Sequence, residues 1–167
     1  MSDWFFMLGE PLGPTEAEQV AQYLRGLDLD DTLSIETPKD WSSAGAVIKS
    51  TSWDPRWWEA EQREAQRLHE RAARELGADE LSRRLAKALE RSLNGVHGAA
   101  AVQAARGGCS DPALIRAAAG AAGHALHLAE VAQMAGESAA HPFLLKQALF
   151  AGGRWPLGIV NASYYLF

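Results

Sequence analysis

Hydrophobic positions recur with a helical period along most of this chain, and clear stop signals separate the periodic stretches. Val20, Tyr23, Leu24 and Leu27 share one face of a segment that opens at Thr15, where Thr15 and Glu18 have the spacing of a capping box. Trp41, Ala44 and Ile48 repeat behind Asp40, which is placed to cap them. Asp54-Pro55 opens a longer helix: a capping aspartate precedes proline at the first helical position, where the missing N–H costs nothing. Trp58, Ala65, Leu68, Ala72 and Leu76 keep its period. Glu59 with Arg63, Glu70 with Arg74 and Arg71 with Glu75 add opposite charges one turn apart.

Gly77 ends that helix and Asp79 is set to cap the next, whose stripe is Leu81, Leu85, Ala88, Leu89, Leu93 and Val96. It continues to about Arg106, where Gly107-Gly108 stops it. Ser110-Asp111-Pro112 starts another helix closed by Gly136, and His141-Pro142 a shorter one through Phe150. Strand character appears nearer the two chain ends. Residues 3–8 (D-W-F-F-M-L) form an aromatic run, residues 33–35 alternate, and residues 157–160 and 163–167 flank Asn161-Ala162 as a hairpin. Alanine suits the positive φ of such a turn poorly.

These elements predict a mainly α (α+β) domain spanning residues 1–167. A bundle of four to five helices carries a small antiparallel sheet, formed from the N-terminal strand and the C-terminal hairpin. Residues 1–53 make an acidic α/β part, 54–152 the bundle and 153–167 the hairpin.

Charge sharpens this picture. The net charge of −5 is concentrated in residues 1–53, where nine acids face only Arg25, Lys39 and Lys49. Residues 54–91 carry nine charges of each sign, whereas residues 92–135 carry only Arg106, Asp111, Arg116 and Glu130. That depleted stretch, rich in alanine and glycine, is expected to hold the core. Gly95, Gly98, Gly120 and Gly123 interrupt its helices at about 1 kcal/mol each relative to alanine, and close helix approach is the expected compensation; a groove left open is the alternative. An acidic front end repels phosphate backbones and anionic lipid, so neither nucleic acid nor membrane is expected as a partner. One cysteine, Cys109, fits a reducing compartment, and residues 1–10 lack a basic segment before an apolar stretch. The expected location is the cytoplasm.

Candidate chemistry is sparse. No nucleophile elbow, Walker loop, dinucleotide fingerprint or H-E-x-x-H is present. His124, His127 and Glu130 recur every third residue on one helix, and with His97 from its neighbour they are the candidate ligands of a divalent metal. Cys109 precedes a helix N-terminus, which favours thiolate, but Asp111 opposes it. Tryptophans cluster at Trp53, Trp57 and Trp58, and Trp155 and Tyr164 lie near the C-terminus.

The leading expectation is therefore a non-enzymatic interaction protein without a cofactor: an inhibitor, an immunity or antitoxin-type factor, or an adaptor. Its contact residues would be Asp28, Asp30 and Asp31 on an acidic face toward a basic protein, with Trp57, Trp58, Trp155 and Tyr164 as aromatic contacts. The alternative is a metal- or small-molecule-binding protein, or an enzyme, with a histidine-lined pocket between helices.

Overall fold

Proline and the polar residue before it set most of the helix starts. A computed structural model describes residues 3–167, leaving aside the side chains of Arg91, Ser92 and Asn94. Among the described residues the order is α1 (Pro14–Gly26), β1 (Ser34–Glu36), α2 (Trp41–Ile48), α3 (Pro55–Leu76), α4 (Ala78–Arg106), α5 (Pro112–Met134), α6 (Pro142–Ala151), β2 (Pro156–Val160) and β3 (Ser163–Leu166). The chain is thus mainly helical with a small sheet, at six helices slightly more than the pattern predicts.

Four caps act as their residue types require. Asp40 accepts from the Ser43 N–H at 2.7 Å, Asp54 from the Arg56 N–H at 2.9 Å and Asp111 from the Ala113 N–H at 2.9 Å. The Nδ1 of His141 accepts from the Phe143 N–H at 3.2 Å. Two expected caps differ. Pro14 moves the start of α1 forward, so the Gly13 N–H donates to Glu16 at 2.8 Å, and Thr15 and Glu18 form no box. No side chain caps α4: Gly77, at φ 82°, makes the turn from α3, and Asp79 lies in the first helical turn.

The aromatic run at residues 4–9 is a chain of turns, not a strand. Phe5 takes a positive φ of 60° and packs edge-on against Phe150 at 6.3 Å. The Met7 N–H donates to the Gly153 carbonyl at 2.9 Å. Arg154 completes the clamp: its buried guanidinium donates to the carbonyls of Met7, Glu10 and Pro11 and, at 2.6 Å, to Glu16. With every direction of the fork used, this charge is satisfied inside the protein.

The third strand is instead β1. The sheet order is β1-β3-β2, with β1 parallel to β3 and β2 antiparallel, so the sheet is mixed. Asn161 and Ala162 turn the hairpin at φ 49° and 61°, the pair of positive values that a two-residue turn of this hand needs. Trp53 bridges Val160, and the Asp54 N–H donates to the Ile159 carbonyl at 3.0 Å, which covers the outer edge of β2.

The core joins the layers. Val20, Tyr23, Leu24, Leu149, Ile159 and Tyr164 bind α1 and α6 to the sheet. Leu68, Leu81, Leu85, Leu128 and Phe143 bind α3 to α4, α5 and α6. Two residues leave their expected stripes: Trp58 is 50% exposed and Leu93 44%. Glu61, not Trp58, occupies the buried side of α3. Of the four helical glycines only Gly123 has a near neighbour among the described residues: a methyl there would meet the end of the Leu93 side chain, Cδ2, at 2.8 Å, whereas one at Gly95, Gly98 or Gly120 would meet no described atom within 4 Å.

Candidate functional site

The acidic loop after α1 is held by the backbone. Asp28 sits at φ 56°; its N–H donates to the Arg25 carbonyl, and that of Leu29 donates to the Leu24 carbonyl. This is a Schellman arrangement with aspartate in the position that glycine usually takes. It orders the loop beside a cleft of about 390 Å³, lined by Leu27, Leu29, Leu33 and Ile159 and rimmed by Asp28, Asp30, Asp54, Glu59, Arg56 and Arg63. Asp31 pairs with Arg25 at 2.8 Å and Asp54 with Arg56 at 2.7 Å. Asp30 accepts from the hydroxyl and N–H of Thr32, and these neutral donors, the hydroxyl first, lower its pKa. Among the described residues Asp28, Asp30 and Glu59 form no ion pair, so the rim retains negative charge.

The aromatic residues expected at a contact surface divide. Trp155 (2% exposed) packs against Trp41 and Phe167, and Tyr164 (0%) against Tyr23 at 5.9 Å, so neither is available to a partner. Hydrophobic area outweighs their polar atoms, and the sheet faces the helices here. Trp57 is half-buried: it stacks on Trp53 at 5.9 Å, and its indole N–H donates to the Tyr23 hydroxyl at 2.6 Å. Trp58 is exposed, and Phe6, at 62%, joins it as a large exposed aromatic residue.

That Tyr23 hydroxyl begins a buried polar chain. It donates to Glu61 Oε1 at 2.6 Å, and Lys146 Nζ donates to the same oxygen at 2.6 Å. Lys146 also lies 5.2 Å from the Trp57 ring centre, within cation–π range. Glu61 Oε2 and the Tyr164 hydroxyl have no hydrogen-bond partner. Burial, with the Glu61 carboxylate second, raises the pKa of both tyrosines, which keeps their hydroxyls protonated. The network ties α1, α3 and α6 together, and Glu61 was invisible as a core residue in a helix whose charges otherwise face water.

A second cleft of about 390 Å³ runs between α3 and α5. Gln62, Gln66 and His69 line it from α3, and His124, His127 and Leu128 from α5. Nε2 of His69 and Nε2 of His127 stand 3.2 Å apart, with the rings 5.2 Å between centres. Burial, then His69, then His124 lower the His127 pKa. The His124 residue is exposed, yet the cleft wall desolvates its ring enough to lower its pKa; Lys146 adds to this and Glu61 opposes it.

The expected ligand set does not assemble. His127 meets His69 in place of Glu130, and His97 is exposed on α4 outside the cleft. Among the described residues no three His, Cys, Asp or Glu side chains converge to hold a metal ion. His69 had a signal in the sequence: Trp58, Gln62, Ala65 and His69 are spaced i, i+4, i+7 and i+11 on one face of α3.

Cys109 is half-buried in the loop before α5, in a cleft of about 550 Å³ shared with Trp41, Lys49 and Asp111. No histidine lines that cleft; the ionisable side chains that share it with the thiol are Asp40, Lys49 and Asp111. No described helix is long and apolar enough to cross a membrane. No protein-family model, no curated protein and no solved structure matches this chain.

Proposed function

We propose that this chain is a cytoplasmic protein-binding factor, of the inhibitor, immunity or adaptor kind, that acts by association and not by catalysis. Its contact site is the cleft beside the acidic loop, and its partner presents lysine or arginine around an apolar anchor. The observation that carries this reading is the net negative rim, where Asp28, Asp30, Asp54 and Glu59 outnumber Arg56 and Arg63, around a lining of Leu27, Leu29, Leu33 and Ile159. An apolar lining supplies contact area, and the rim steers a basic surface toward it. The ordered Asp28 turn lowers the conformational cost of binding.

The test begins with the complex isolated from the protein's own cells and identified by native mass spectrometry. Association of that partner is then compared for the native chain and an Asp28→Asn, Asp30→Asn variant. The rate constant should fall several-fold at low salt, and the two proteins should converge as added salt screens the rim. An unchanged rate with an unchanged salt dependence would remove the acidic cleft from the interaction.

A further inference from the structure

The facing imidazoles between α3 and α5 lie outside the acidic cleft and carry a separate inference. We infer that His69 and His127 anchor a divalent transition-metal ion of borderline softness, such as zinc, through their Nε2 atoms, with the remaining coordination positions open to the cleft. The separation of the two nitrogens is 3.2 Å. Zinc–imidazole bonds of about 2.0–2.1 Å meeting at a tetrahedral angle place two ligand nitrogens about 3.3 Å apart. The spacing of the two nitrogens is therefore that of two imidazoles on one zinc ion.

The backbone fixes both rings. Each histidine stands well inside a helix of 22 or 23 residues, away from frayed ends. Each is also next in sequence to a fully buried leucine, Leu68 beside His69 and Leu128 beside His127, which sets the rotation of its helix. Two Nε2 atoms facing one another can share one proton, as donor and acceptor, or give that place to a metal. Metal binding needs the imidazoles in their neutral form, so it competes with protons at low pH.

The remaining wall decides the class of ion. Gln62, Gln66 and His124 add neutral donors, and no carboxylate lines the cleft, which disfavours magnesium and calcium and favours a nitrogen-preferring ion. Arg63 on the rim adds positive charge, which weakens affinity and favours an anionic exogenous ligand at the open positions, whereas the charge of Lys146 is met by Glu61.

Isothermal titration of the untagged full chain with zinc chloride at pH 7.5 tests this directly. One ion should bind per chain, and His69→Gln and His127→Gln should each raise Kd at least tenfold. His97→Gln, which removes an imidazole outside the cleft, should leave Kd within twofold. Circular dichroism of each variant confirms that the helices persist, so that lost binding is not lost folding. Absence of a saturable single site in the native chain overturns the inference, and so does binding that survives both cleft substitutions. Neither result bears on the acidic cleft, whose test reads protein association.

Discussion

Removing Lys146 while keeping Glu61 would leave a carboxylate, 1% exposed, with one hydroxyl donor where it now has a hydroxyl and an ammonium. Its second oxygen has no partner to take up the charge. Breaking a buried pair from one side costs about 3–5 kcal/mol, because the remaining ion stays desolvated without its counter-charge. For a chain of this size each kcal/mol shifts Tm by about 2–4 °C, so Lys146→Met should lower it by about 6–20 °C. Adding Glu61→Gln to that variant removes the stranded charge while keeping an acceptor for the Tyr23 hydroxyl. The double variant should therefore be more stable than Lys146→Met alone, by about 2 kcal/mol or more. Urea unfolding at pH 7.5, followed by circular dichroism and by the fluorescence of Trp57 and its neighbours, measures both steps. A loss below about 1 kcal/mol for Lys146→Met would refute the reasoning. So would a double variant less stable than the single one.

Further outcomes follow from other parts of the fold. The folded-state pKa of His127 is depressed, so the unfolded chain binds its proton more readily: stability is full above about pH 6.5 and falls as pH drops through the folded pKa. Urea midpoints from pH 7.5 to 5.0 should show this decline, and His127→Gln should flatten it; an equal slope in both proteins would assign the acid sensitivity elsewhere. Gly158 has φ +123°, and a methyl there would meet the Trp57 ring at 2.7 Å, so Gly158→Ala should cost at least about 1–3 kcal/mol and alter tryptophan emission. An unchanged urea midpoint would mean that the hairpin moves away from Trp57 freely. Asp54→Ala should cost about 1 kcal/mol by removing the α3 cap, read as a lower Tm with little change in the far-ultraviolet spectrum.

Much of the secondary structure was legible because its signals are local. Asp40, Asp54 and Asp111 cap helices by bonding to N–H groups two or three residues away, and Pro14, Pro55, Pro112 and Pro142 need no N–H at the first turn. The Asn161-Ala162 turn follows from its spacing between two strands, despite the alanine. The candidate sites were legible only in part. The acidic loop stood out as charge, but its apolar lining draws on Ile159, more than a hundred residues away.

The sequence by itself determined where most helices begin and end, though not the caps of α1 and α4, that the structure is mainly helical, and that the charge is concentrated toward the front. Those properties arise within a few residues of one another. Tertiary structure alone decided that β1 replaces the aromatic run in the sheet, while Phe5 is buried in the core against Phe150. It also decided that Glu61 is buried, since Lys146 and Tyr23 arrive from α6 and α1 to meet its charge. Which histidines meet was settled in the same way: helical period puts His69 and His127 on faces of two helices, but only the packing of α3 on α5 brings those faces together. Partners distant in the chain leave no mark on local spacing, and for that reason both clefts became readable only in the folded chain.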